Sequence, residues 1–197
     1  MAQTIAKPTE LRKLNLGSGK YPLKDHINVD FIASLNPDVV HDLDVFPYPF
    51  EGGAFDRIFA SHVLEHLHDP FKAMAEWRRL LRAGGELHIK VPHFSRGFTH
   101  PDHKRGFDVS FPMFFNPQLP PWFVGTHFEL QSMRLHWNAQ IYLKSYVASR
   151  PVVFVARVMG GVIDAVANLS PLIFSRLCCF WVGGFEEIEF IFTRPPD

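Results

Sequence analysis

The stretch KLNLGSGK, residues 13–20, decides the fold. Leu14 and Leu16 alternate with polar neighbours before the run breaks into Gly17-Ser18-Gly19, so it reads as a buried strand ending in a turn with backbone amides open to a ligand. Glycine there lets the main chain approach a bound molecule to contact distance. Ten residues after Lys20, Asp30 closes HINVD, and a carboxylate at the tip of a second strand suits the two hydroxyl donors of a ribose. A bare GxG occurs in many surface turns, so its meaning depends on the order of the pieces behind it.

Those pieces alternate. Only KYPLKDH separates the glycine turn from the strand Ile27–Asp30, which is too short for a full helix and carries Pro22. The first crossover helix is therefore abbreviated. Val39-Val40 forms a third strand ending in His41-Asp42-Leu43-Asp44, which places further carboxylates where open α/β sheets meet their ligands. A fourth strand spans Asp56–Ala60, turns at Ser61-His62 and leads into a helix in which His62 and His66 share a face at i, i+4. Asp69-Pro70 caps the next helix, Phe71, Met74, Trp77 and Leu81 recur at helical spacing, and Gly84-Gly85 closes it. Glu86–Val91 is the fifth strand, ended by Pro92. Strand and helix in this order predict an α/β, Rossmann-like, doubly wound sheet.

Composition narrows the function. A length of 197 residues suits a single domain, 1–197, with a core that requires no disulfide or metal. Lys+Arg and Asp+Glu both number 20, so the chain offers no net field to nucleic acid. The two cysteines, Cys178 and Cys179, are adjacent and lack zinc or redox spacing, which points to a reducing, cytoplasmic location. The polar start, MAQTIAKPTELRK, lacks the apolar core of a signal peptide, and residues 1–10 read as a flexible arm.

The run FDRIFASHVLEHLHDP followed by LLRAGGELHIKVP, together with the glycine turn and the two strand-end acids, resembles the class I S-adenosylmethionine-dependent methyltransferases. The likeness is to a short-crossover bacterial subgroup of the type 11-like kind, and it covers Leu14 to Pro92. It implies S-adenosylmethionine as cofactor, held by Gly17, Ser18 and Gly19, with Asp30 on the ribose and Asp42 and Leu43 facing adenine. Ser61 and His62 then stand at the fourth strand end beside the reactive methyl. The likeness also implies that the closing strand, within Glu186–Thr193, is antiparallel and inserted between the fifth and sixth strands. Two departures are visible: Lys20 and Tyr21 stand where the family has a third glycine, and the helix before the ribose acid is curtailed.

Residues 93–125 lose periodicity and read as an active-site loop region. Methyl transfer to a hydroxyl needs a base near the methyl, and histidine titrates in the right range. His103 and His93 are the base candidates, with His62 shaping the pocket. His93, His100, Asp102 and His103 also offer metal donors, but their spacing fits no strong pattern and Lys104 and Arg105 oppose a cation, so no metal is expected. HVLEH is not the HExxH zinc motif.

Phe128–Trp137 reads as a strand. Residues 151–182 are apolar, interrupted by Gly160-Gly161 and Pro171, and read as a helical insertion packed between the last strands. A peripheral membrane or lipid-linked substrate contact and a homodimer contact are the alternatives. The expectation is a methyltransferase acting on oxygen or nitrogen of a small-molecule or glycan-type acceptor. Its rivals are a non-catalytic scaffold of the same fold and a metal-dependent hydrolase.

Overall fold

The computed structural model describes residues 12–144, 146 and 148–196, without the side chains of Thr99, Tyr142 and Leu143. The expected arm, 1–10, lies outside the described residues. Strands β1 (Lys13–Leu16), β2 (Ile27–Asp30), β3 (Val39–Val40), β4 (Phe55–Ser61), β5 (Leu81–Pro92), β6 (Glu129–His136) and β7 (Glu187–Thr193) form one sheet in the order β3-β2-β1-β4-β5-β7-β6. The first five pair in parallel, Leu14 lying beside both Ile27 and Ile58. As expected, the closing strand β7 is antiparallel and sits between β5 and β6.

The alternation in β5 and β7 explains how the sheet is used. Leu87, Ile89, Val91, Ile188, Phe190 and Phe192 have no exposed surface and point into the core. Their neighbours His88, Lys90, Glu187 and Glu189 point to the other face, where Lys90 pairs with both glutamates and His88 with Glu189. One side of these strands is thus hydrophobic and the other is a ladder of ion pairs.

Helix α1 (Pro70–Leu80) packs on the core face. Its N-cap behaves as predicted: Asp69 Oδ1 accepts from the amides of Phe71 and Lys72, both at 3.0 Å. Ala73, Met74, Trp77 and Leu80 are wholly buried. The helix ends earlier than expected. Leu81 is already extended, and Gly84-Gly85 stands inside β5, where the pairing jumps from Phe55↔Leu81 to Arg57↔Glu86. The glycines therefore belong to a bulge and do not cap the helix.

The helix expected after Ser61 is also absent. His62 takes a left-handed conformation (φ 54°), and residues 63–68 close as turns, with the His66 amide donating to Val63 O at 3.0 Å. Only six residues lie between His62 and the Asp69 cap, too few for a turn out of β4 and a stable helix as well.

Residues 93–125 are not structureless. They form short 3-10 turns at Gly97–Thr99 and Phe111–Phe115, and Phe107, Phe111 and Phe115 join Phe128, Phe190 and Phe192 in an aromatic cluster under Phe71. This accounts for much of the phenylalanine excess. The loop crosses itself where a Cβ on Gly97 would lie 2.7 Å from Gly106 Cα, so only glycine fits. Arg105 fastens the crossing to residues after β4, donating to Leu67 O (2.6 Å) and His68 O (3.0 Å).

After β6 come α2 (Ile141–Lys144), the long helix α3 (Arg150–Ala167) and a helical run beginning with α4 (Pro171–Ile173) and ending at Val182. The helix α3 touches the sheet near its edge, where Asn168 Oδ1 accepts from the Leu135 amide and Asp164 Oδ1 from the Trp137 amide.

Candidate functional site

Two hollows meet at the carboxyl ends of the strands. The first, about 360 Å³, is lined by Gly17 at the end of β1, Asp30 and Phe31 at β2, Asp42, Leu43 and Asp44 after β3, and His62, Val63, His66 and Leu67 after β4. The second, about 520 Å³, is lined by His62, His66, Pro92, Arg96, His100, His103, Ala139, Gln140 and Glu186. His62 and His66 belong to both and form the boundary between them. A hollow of about 560 Å³ opens at the opposite strand ends, but its Arg79 and Arg82 are already paired with Glu76 and Asp56, and none of its lining residues comes from the carboxyl ends of β1 to β5.

The first hollow is built by the glycine turn. Gly17 has φ 65°, and a Cβ on it would come within 2.4 Å of Val63 Cγ2, so a side chain would both strain the turn and fill the cradle. Asp30 is nearly buried. Its Oδ2 accepts from the Gly19 amide at 2.8 Å and its Oδ1 from the Ile32 amide at 2.9 Å. A carboxylate has about four lone-pair sites, so two remain for other donors. Asp44 is held by the His68 amide (2.8 Å) and ring (2.7 Å). Burial alone would raise its carboxyl, yet those contacts and the charges of His68 and Lys104 keep it below the ordinary range.

Of the residues the sequence singled out, Gly17, Asp30, Asp42, Leu43 and His62 meet in this first hollow. Ser18 and Gly19 shape the turn from behind, Ser18 donating its amide to Val29 O. Ser61 lines neither hollow. Sequence reasoning missed Phe31, Val63, His66 and Leu67 as wall residues. Phe31 carried a usable signal, being an aromatic directly after the strand-end acid, and it is 69 % exposed.

The histidines separate by environment. His62 lies between two carboxylates, with Nε2 at 2.8 Å from Glu187 and Nδ1 at 3.2 Å from Glu65. Burial would lower its pKa, but the two acids outweigh this and carry it to about 9, so at neutral pH it is a cation with no free base to offer. His103 lines the second hollow and donates Nδ1–H to Gly97 O at 2.6 Å. His93 is elsewhere. It is wholly buried, its ring nitrogens facing Ser95 Oγ (2.7 Å) and Ser175 Oγ (2.9 Å), and burial pushes it down to about 4. Outside both hollows, it ties the end of β5 to the helical run and reaches no acceptor. Nor do His93, His100, Asp102 and His103 form a donor set, because His93 is sequestered and the exposed Asp102 carboxylate stands 4.0 Å from His100.

Residues 21–89 match a sequence model of the methyltransferase-domain family Methyltransf_11. A curated relative, an uncharacterized 37.1 kDa protein in transposon TN4556 of Streptomyces fradiae, is 40% identical over 60 residues. That alignment covers 30% of this chain and 17% of the relative, so the chain spans under a fifth of its length. Among solved structures, a S-adenosylmethionine-dependent methyltransferase from Mesorhizobium loti superposes with a TM-score of 0.55 at 12% identity, covering 93% of this chain and 91% of that one. A SAM-dependent methyltransferase from Archaeoglobus fulgidus gives 0.53 at 16%, covering 93% and 86%. The cyclase SpnF gives 0.52 at 15%, covering 95% and 76%. At such identities the structures speak for the fold alone. The fold is thus one shared with enzymes that depend on S-adenosylmethionine, and the match to the methyltransferase-domain family lies within it at residues 21–89. The first hollow fits that molecule: it offers a glycine cradle, a buried carboxylate with spare lone pairs, an exposed aromatic and apolar walls, and no cluster of cations for phosphates.

Proposed function

We propose that the chain transfers the methyl group of S-adenosylmethionine to an oxygen or nitrogen of a small-molecule or glycan-type acceptor. The observation that carries this reading is the meeting of the cofactor hollow and a second, histidine-rich hollow at His62 and His66. When bound, the cofactor supplies an electrophilic methyl for in-line displacement. Asp30 is suited to accept the ribose hydroxyls, Gly17 to admit the chain of the cofactor past Val63, and Phe31 and Leu43 to flank the base. The imidazolium of His62 stands at the junction as a fixed positive group, and His103 faces the acceptor side.

Isothermal titration with S-adenosylmethionine, followed by transfer of labelled methyl to candidate acceptors, tests this. Micromolar binding that Asp30→Ala weakens is the expected result, and absence of binding at high micromolar concentration sinks the enzyme. Binding without transfer to any oxygen or nitrogen acceptor favours the scaffold reading.

The acceptor is presented at an anionic membrane surface, in our reading. Phe154, Val158 and Val162 on α3 and Leu177, Phe180 and Trp181 on the helical run are more than half exposed. The charges in 150–182 are Arg150, Arg157, Arg176 and Asp164, and Asp164 is turned inward onto the Trp137 amide and His136. Arg176 is held by Asp108, which leaves Arg150 and Arg157 beside the apolar face. Apolar and aromatic groups next to arginines suit the plane of an anionic bilayer. No single described helix is long and apolar enough to cross a membrane, and the two helical pieces meet at 110°. Cosedimentation with phosphatidylglycerol vesicles is expected. Concentration-dependent dimerisation without vesicle binding would overturn it in favour of a homodimer face. The free thiols of Cys178 and Cys179 suit a reducing, cytoplasmic side of that membrane.

A further inference from the structure

We propose that Glu65, His66 and His103 form a binding site for a divalent transition-metal ion at the boundary of the two hollows. Each residue offers a donor atom, and the three atoms lie within 4.8 Å of one another. This trio differs from the loop set that sequence spacing suggested and rejected. Glu65 lies in the turn after β4 and His103 in the loop after β5, 38 positions later.

Glu65 is the unusual member. It has no exposed surface, and neither carboxylate oxygen has a hydrogen-bond partner. His62 Nδ1, at 3.2 Å from Oε1, makes an ion-pair contact outside hydrogen-bond geometry. The His62 imidazolium is shared with Glu187, so a buried carboxylate that accepts no hydrogen bond still has room for a second cation.

The two imidazoles are oriented to supply one. His66 Nδ1 faces Asp102 O at 3.2 Å, and His103 Nδ1 faces Gly97 O at 2.6 Å. A carbonyl can only accept, so each ring carries a hydrogen on Nδ1, and in its neutral form the lone pair is on Nε2. His103 Nε2 lies 3.8 Å from Glu65 Oε1, too far to share a proton. With a carboxylate oxygen and one nitrogen of each ring within 4.8 Å of one another, a single ion bound about 2.0–2.2 Å from each can join all three. Carbonyls that fix the tautomer of a ligating histidine are the usual outer support of such sites. Of the two cations that argued against a metal, Arg105 is spent on the Leu67 and His68 carbonyls.

Two imidazoles and one carboxylate favour zinc, iron(II), cobalt(II) or manganese(II) over magnesium or calcium. Three protein ligands leave coordination open toward the second hollow, which His66 and His103 line. There the ion would take an acceptor oxygen, and this role rests on the methyltransferase reading. The acceptor O–H would release its proton to water, the oxygen would bond to the methyl carbon as the C–S bond breaks, and a neutral thioether would leave with no change in metal oxidation state.

The test uses protein without a polyhistidine tag, stripped with EDTA and titrated with Co2+ while visible d–d absorption is read. One equivalent is expected, displaced by Zn2+. His103→Ala and His66→Ala should each weaken binding at least about tenfold, and Glu65→Gln should do so while its far-ultraviolet dichroism stays native. His26→Ala is the control that keeps the spectrum. A wild-type protein without a stoichiometric Co2+ spectrum, or a spectrum that survives the His66→Ala/His103→Ala double variant, overturns the site. Calorimetry with S-adenosylmethionine in EDTA runs in parallel. Cofactor binding without Co2+ binding defeats the metal alone, and Co2+ binding without cofactor affinity defeats the methyltransferase reading alone.

Discussion

Helices α1 and α3 are both apolar on one side, yet they live in different surroundings. The shorter, α1, has a satisfied N-cap and buries Ala73, Met74, Trp77 and Leu80 completely. The longer, α3, has no side-chain cap, and of its eighteen residues only Gly160 and Ala167 are buried. It is held by polar contacts at the sheet edge, Asp164 to the Trp137 amide and Asn168 to Leu135. The contrast teaches that an apolar stripe declares a need for cover without saying what supplies it. The core supplies it for α1, and for most of α3 no described residue does.

The largest effect should come from breaking the α1 side. Trp77 is wholly buried, so Trp77→Ala should lower stability by about 3–5 kcal/mol, read by urea denaturation. If it costs less than the substitutions on α3 described below, the contrast between the helices is false.

Acid should act next, on the joint between the sheet and the helical run. His93 titrates near 4 when folded and near 6.5 when unfolded, so the unfolded chain takes up its proton first. Stability should be flat on this account above pH 6.5 and fall as pH drops from 6.5 to 4, by on the order of 3 kcal/mol. His93→Gln should flatten that slope in melts across the range. An unchanged slope would show that His93 is no such joint.

The cofactor half should respond more modestly. Asp30→Ala removes an acceptor and is expected to weaken S-adenosylmethionine binding by about 1–3 kcal/mol in titration calorimetry. Leaving the affinity untouched would remove Asp30 from the site. The smallest stability effect belongs to α3: Phe154→Ser and Val162→Ser should each stay within about 0.5 kcal/mol of wild type, since both side chains already face solvent. The same pair should diminish vesicle binding, and a large loss of stability instead would mean that the face is covered from within.

Much of the fold was legible in the chain. The glycine turn, the strand-end acids and the Asp69-Pro70 cap are local patterns, in which neighbours in sequence do the work. The alternation in EEIEFIFT predicted a strand with one buried face, and β7 has it. Local pattern failed where tertiary contact overrode it. HVLEH has helical spacing but begins at a left-handed His62 pinned between Glu65 and Glu187, residues 122 positions apart, so the turn serves the site at the expense of a helix. Gly84-Gly85 reads as a helix stop and is a bulge, because pairing of Leu81 with Phe55 claims the chain first. His93 and His103 are alike in sequence, two loop histidines near charges, and only the burial of one against Ser175 tells them apart.

The sequence by itself therefore determined the strand that ends in the glycine turn and the acid that closes β2, since these depend on short-range geometry and on backbone conformations that few residues allow. The tertiary structure alone decided which histidines share a wall, that Glu65 is buried between them, and that α3 is left bare. Those facts depend on where residues 93–125 recross the strand ends and where the last helices dock, which is set by packing between segments far apart in the chain.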